Sequence, residues 1–235
     1  GVYSFLGGGY ANTASGNSSA ISGGQDNTAT TDHATVVGGK SNDATGQYSF
    51  VGGGQTNQAT GTRSTVGGGI SNKATNDMAT VGGGNANDAT AAESTVAGGS
   101  YNDATGTKSF IGGGGSNDAT AQFSTVAGGS TNKATGLYTS VVGGLDNRAD
   151  ADYATVLGGS YGHTRGTIGK TVFAASGSPI GTTHGYSQAG LLIVGATTSD
   201  ATTTTLRSNQ SSASASNQCV LENGGSLFAF TVTVV

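Results

Sequence analysis

The sequence predicts an all-β fold: a parallel β-solenoid of about eleven coils, followed by a small β-rich domain. Three observations carry that expectation. Residues 3–167 form eleven consecutive units of 15 residues, without insertion or deletion. Gly-Gly recurs at positions six and seven of every unit, which opposes helix formation. A branched aliphatic residue recurs at position four of every unit, and strict register of this kind is the signature of a stacked repeat.

The units begin at Tyr3, Ser18, His33, Tyr48, Arg63, Met78, Glu93, Lys108, Phe123, Tyr138 and Tyr153. Residues 93–107, ESTVAGGSYNDATGT, are representative. Fifteen residues are too few for a helix pair, whereas two short β-stretches separated by a glycine corner fit. The first stretch is expected over positions one to five, with positions two and four on one face by strand alternation. The second is expected over positions nine to thirteen, with ten and twelve turned to the same interior. Each unit then completes one coil stacked on the next at ~4.8 Å, giving a rod about 50 Å long.

Each near-invariant column has a physical role in such a rod. Position four runs Leu6, Ile21, Val36, Val51, Val66, Val81, Val96, Ile111, Val126, Val141 and Val156. Together with the alanines at position twelve it forms a thin core. The pairs Gly53 and Gly54, Gly68 and Gly69, Gly83 and Gly84 supply positive φ or close backbone approach at a corner. Asparagine fills position ten in the first ten units. Asn57, Asn72, Asn87, Asn102, Asn117 and Asn132 are expected to stack as a ladder, each amide bonding its neighbours above and below. A buried polar column needs such partners; the alternative places these asparagines in turns. The eleventh unit departs from the pattern with Gly162 and Thr164, as a terminal or junction coil should.

Residues 168–235 read as a second, incomplete β-rich domain. Pro179 sits in a Ser/Gly/His-containing stretch, and apolar β-like runs follow at 189–198, 203–208, 218–221 and 227–235. Alternation in FAFTVTVV suggests a half-buried strand. No signal peptide or initiator methionine is present, and residue 1 already falls within the repeat pattern. The chain therefore reads as a piece of something longer.

Composition narrows the partners. A net charge of −4 gives no electrostatic footprint for nucleic acid or an anionic membrane. No apolar run approaches the ~20 residues of a bilayer span, so no membrane insertion is expected. The single cysteine, Cys219, cannot form an intrachain disulfide. Each coil buries one aliphatic side chain, one alanine and one small residue. That is too little apolar surface to offset the ordering of fifteen residues, glycines among them, so association of several chains is expected.

Motifs for catalysis are missing. His33, His163 and His184 lie far apart in sequence, with no GxSxG, HExxH, CxxC or GxxxxGK[ST]. No enzymatic, cofactor or metal site is expected. His33 occupies the variable first position, facing solvent, while His163 and His184 flank the junction as packing or loop residues. The coils read GGxxN, whereas the calcium-binding nonapeptide roll reads GGxGxD. Position eleven stacks Asp88, Asp103 and Asp118, flanked by Lys73 and Lys133; these carboxylates are read as splaying into water. Aromatics at position one (Tyr3, Tyr48, Phe123, Tyr138, Tyr153) and position three (Phe5, Phe50, Phe110) are expected to face outward. There they would pack between chains or form sugar- or protein-binding patches. An ice-binding solenoid needs two parallel threonine ranks. Position three supplies one, including Thr65, Thr80 and Thr95, but position one beside it does not supply the second.

The phrase STVxGGxxNxATG, as in residues 94–106, resembles the repeat of the trimeric left-handed β-roll heads of bacterial autotransporter adhesins, roughly SVAIGxxSxAxG. Here the unit is one residue longer, the glycine is doubled, and asparagine replaces the internal serine. The 15-residue form is similar to repeats of phage tail-fibre and tailspike proteins, and residues 185–235 are similar to a β-domain that follows such repeats there. The resemblance implies a left-handed β-roll, an intertwined or side-by-side homotrimer, and a location in a virion tail or fibre. It further implies a role in host attachment, with other fibre or tail proteins and a host-surface glycan or protein as partners. The head of a bacterial trimeric surface adhesin is the alternative. In phage relatives a self-cleaving chaperone domain continues beyond this point; none of its residues has a counterpart here.

Overall fold

The structure, a computed structural model, describes residues 1–175, 184–185 and 188–192. Among these residues there are two β-sheets and no helix. Each of the first ten coils gives one two-residue strand to each sheet. In the fourth coil, Phe50–Val51 enters the first sheet and Gln58–Ala59 the second. Successive strands pair in parallel at a constant offset, so that Val51, Val66, Val81 and Val96 lie over one another. The chain is an all-β parallel solenoid of about eleven coils.

Burial follows the columns. The aliphatic side chains from Ile21 to Val156 and the alanines from Ala29 to Ala149 are 0% exposed. Leu6, covered on one side only, is 51% exposed. Position two, occupied by Ser49, Ser64, Ala79 and their equivalents, is also buried, so the interior is a narrow column of small and branched side chains.

The strands are shorter than the five-residue stretches expected. Positions one and nine, which the sequence places inside strands, instead hold φ between +51° and +61° in all eleven coils, on residues such as Tyr48, Thr56, Arg63 and Tyr101. A fifteen-residue loop must reverse direction repeatedly, and a single left-handed residue does so in the least chain. Off glycine this costs on the order of 1 kcal/mol each. The conformation is held by bonds to the coil behind: Tyr48 N–H donates to the Asp32 carbonyl at 3.0 Å and Thr56 N–H to the Lys40 carbonyl at 2.9 Å. A third corner falls at position seven, where Gly54 has φ +87°.

The first sheet runs past residue 167. Thr171–Ala174 pairs in parallel with Thr155–Val156 and places Val172 over Val156, one residue later than the repeat would. Val172 is 0% exposed and extends the aliphatic column. Gln188–Leu191 then closes on Thr171–Ala174 in antiparallel fashion. The runs at 203–208, 218–221 and 227–235, together with Pro179 and Cys219, lie outside the described residues. Among the described residues no helix is long and apolar enough to cross a membrane.

Candidate functional site

The asparagine column is the most constrained polar feature of the rod. Asn57, Asn72, Asn87, Asn102, Asn117 and Asn132 are all 0% exposed. Each follows a left-handed residue at position nine, which turns the next N–H along the axis, where no strand offers it a carbonyl. The side chain of the coil behind supplies the acceptor: Asn57 Oδ1 receives the Asn72 N–H at 3.0 Å. The Asn57 amide nitrogen donates to Gly53 O at 2.8 Å and to Gly69 O, one coil on, at 2.9 Å. The amide therefore clamps backbone on both sides. Direct amide-to-amide bonding, expected throughout the column, occurs from Asn102 to Asn87 and from Asn117 to Asn102. At these two steps, as at the others, the same oxygen also accepts the next backbone N–H.

The turn glycines divide into two kinds. Gly54, Gly69 and Gly84 at position seven have φ +87° to +97°, and a Cβ on any of them would lie about 2 Å from the glycine carbonyl of the next coil. Gly53, Gly68 and Gly83 at position six have φ +138° to +159°, and a Cβ there would meet only the glycine carbonyl of the preceding coil, at 3.8–3.9 Å.

Outward-facing columns form ladders. At position one, Phe123 stacks on Tyr138 at 4.7 Å and Tyr138 on Tyr153 at 5.3 Å, with planes within 9° of parallel. Lys108 Nζ lies 5.6 Å from the Phe123 centroid, and His33 stacks on Tyr48 at 4.7 Å. These rings reach solvent because position one is a left-handed corner, not by strand parity. Stacking covers the faces of the inner rings and leaves their edges exposed. A sugar that binds by face contact finds room only at the ends of a stack.

Position eleven brings Asp88, Asp103 and Asp118 into register on consecutive strands. Lys73 pairs with Asp88 at 3.3 Å and Lys133 with Asp118 at 2.7 Å, leaving Asp103 between two carboxylates. Its partial burial, then Asp88 and Asp118, push its carboxyl above the usual range; Lys73 and Lys133 offset part of this. A shallow groove along this face is lined by residues that include Thr56, Gln58, Lys73, Asp88 and Tyr101. Among the described residues no group of three or more His, Cys, Asp or Glu could hold a metal ion. A threonine rank from Thr30 to Thr135 occupies position thirteen. It flanks the second sheet, so it does not share a face with the position-three threonines.

At the junction the fold assembles residues that the sequence leaves apart. His163 Nε2 meets Asp150 Oδ2 at 2.6 Å, and His184 Nε2 meets Asp146 Oδ1 at 3.1 Å. The two imidazoles sit edge to face, 6.2 Å apart. Asp150 also accepts the Thr164 hydroxyl at 2.7 Å and the Gly166 N–H at 2.9 Å. Burial opposes its charge, but the bonds from His163, Gly166 and Thr164 outweigh that and hold the carboxyl well below the usual range. Gln188 behaves as a false strand. Its side-chain oxygen accepts the His163 N–H and its amide donates to the His163 carbonyl, both at 2.8 Å, capping the ladder that Arg148 and His163 extend. Thr164 in the alanine column and Asp150 in the threonine column were the only sequence signals of this cluster.

No protein-family model matches the chain, and no curated protein matches it.

Proposed function

We propose that this chain is a structural fibre or receptor-binding appendage of a phage or phage-like particle, working as a homotrimer in attachment to a host surface. The observation that carries the reading is the unbroken stack, in which coil after coil repeats the same 15-residue register and the same backbone bonds. A rod built this way holds position and carries load along its axis; it does not enclose a substrate. The inner columns fix the fold, while the outward positions accept Tyr, Arg, Met, Glu or Lys at equivalent corners. That freedom suits contacts with other fibre or tail proteins along the shaft and with a glycan or protein of the host. The resemblance of the repeat and of residues 185–235 to phage fibre proteins points the same way, and the small C-terminal β-domain and the extracellular virion location belong to this reading. No catalytic role is assigned.

A second reading, the head of a bacterial trimeric surface adhesin, rests on the STVxGG phrase and would place the chain at the cell surface. Sequence beyond the chain separates the two: a particle-attachment domain favours the first, a membrane anchor the second. The direct test combines the solution mass with imaging of the parent particle labelled by antibodies against residues 3–167. Three chains per particle and label on a tail fibre are expected. A well-folded monomer at micromolar concentration would sink the assembly, and label confined to a bacterial envelope would sink the virion assignment.

A further inference from the structure

The two glycines of each coil do different work. At position seven the chain itself demands glycine: Gly99 has φ +90°, and a Cβ there would lie 2.2 Å from Gly114 O. At position six a Cβ would meet nothing closer than 3.8 Å in any of the eleven coils. At Gly23, Gly38, Gly98, Gly128 and Gly143 of that column φ also lies outside the left-handed region. Neither contacts nor backbone angle within the chain call for glycine at these five, yet the column admits no other residue.

The surfaces that meet at this column are unlike the rest of the rod. Positions three, five and six, along the outside of the first sheet, carry no Asp, Glu, Lys or Arg in any coil. Across the corner, position eight carries one charge, Lys40. The charges of the second sheet, such as Asp43, Lys73 and Asp103, lie elsewhere. Exposed apolar side chains stand on both sides of the corner: Val37, Val142 and Leu157 on one, Tyr10, Ile70 and Leu145 on the other.

The first facet is also levelled. Each phenylalanine at position three, Phe5, Phe50 or Phe110, is followed at position five by glycine, Gly7, Gly52 or Gly112. The ring edge lies 3.3–3.5 Å from where that Cβ would be. Where position five is bulky, as at Val37, Val142 and Leu157, position three is a small Thr or Ser.

Two nearly uncharged facets meeting along a glycine edge make a wedge. We propose that two further copies of this chain are the occupants of these facets, with the position-six glycines on a shared three-fold axis. The missing Cβ lets three backbones approach that axis, and the absence of charge spares a parallel assembly like-charge contacts repeated at every level. The first facet, positions three to six over a rod about 50 Å long, is about 13 Å wide and offers about 650 Å².

This assignment rests on the homotrimer reading, and the experiment separates the two. Solution mass is measured first on the full chain: about three times 22.7 kDa is expected, and a monomer overturns both. Then, in a Cys219→Ser background, Gly128→Cys and Thr120→Cys are oxidised and resolved without reductant. Residues on the axis come within the ~4.4–6.8 Å Cα separation of a disulfide, so Gly128→Cys is expected to yield covalent dimers and Thr120→Cys, on the flank of the second sheet, none. Gly98→Glu should lower the mass while Thr105→Glu leaves it trimeric. A trimer that cross-links at Thr120→Cys, or at neither site, or that tolerates Gly98→Glu, overturns the wedge and leaves the fibre reading standing.

Discussion

The side-chain oxygen of Asn72 accepts the backbone N–H of Asn87 at 3.0 Å, fifteen residues along the chain. The same amide donates to Gly68 O at 2.8 Å and to Gly84 O at 2.9 Å. One side chain thus bonds three backbone groups on two coils, of which Gly84 O also accepts the Ile70 N–H at 2.9 Å.

Asn72→Leu should therefore destabilise the rod far more than a volume change suggests. It orphans the Asn87 N–H and the Gly68 carbonyl, each loss costing about 1–3 kcal/mol, while Gly84 O keeps its bond from the Ile70 N–H. Asn72→Asp keeps the acceptor and loses the donor, so an intermediate loss is expected. Denaturant midpoints of the three proteins should fall in the order wild type, Asp, Leu; equal midpoints would show that water replaces the amide.

Gly84→Ala tests the corner at position seven. With φ +97° and a carbonyl at 2.1 Å from the new Cβ, neither the backbone nor the neighbour can yield without opening the coil. A loss of at least about 1–2 kcal/mol is expected, with hydrogen exchange quickened in the coils on either side. Unchanged exchange at Asn85, whose N–H donates to Gly99 O, and at Asn87 would contradict the close approach.

Acid should act first at the junction. Asp150 has a carboxyl held below its unfolded value, so it contributes stability above the ordinary carboxylate range, and that contribution is lost as pH falls toward the folded pKa. The exchange protection of the His163 and Gly166 amides is expected to fall on acidification, and Asp150→Asn should flatten that dependence. A wild-type junction whose exchange protection stays constant down to pH 2 would refute the assignment.

Asp103 works in the opposite sense. Its carboxyl is raised by burial and by Asp88 and Asp118, so its charge costs stability above the carboxylate range and the cost is relieved as pH falls. Asp103→Asn should raise the melting temperature slightly at neutral pH. The gain should shrink in high salt and vanish in acid. A destabilised variant at neutral pH and low salt would be evidence for a bound cation.

The period and its columns carried most of the architecture. A branched aliphatic residue every fifteen positions can lie over itself only if each unit closes one turn, and Val66, Val81 and Val96 do so. What the sequence concealed was how each turn closes. Two of the three corners hold left-handed residues that no composition rule marks, since Tyr, Arg, Met, Glu, Ser and Thr all serve there. Glycine flags only the third corner, and strand alternation runs straight through the other two. The asparagine column was legible as buried and hydrogen-bonded, but its partners were not. Choosing backbone over amide depends on the N–H that the hidden corner releases. At the junction, Asp150 is bonded to residues thirteen to sixteen positions away, and Gln188 reaches His163 across twenty-five. The continuing core has one signal in the sequence: Val172 stands sixteen residues after Val156, in a TVF phrase that echoes the coil start.

Because each coil presents its neighbour with the same columns on both sides, any coil can follow any other. An in-frame gain or loss of one unit, such as residues 78–92, would join surfaces that already fit and change the reach of the rod by one step of ~4.8 Å. Length is therefore adjustable in fixed increments, by recombination between neighbouring copies, with no new contact to invent.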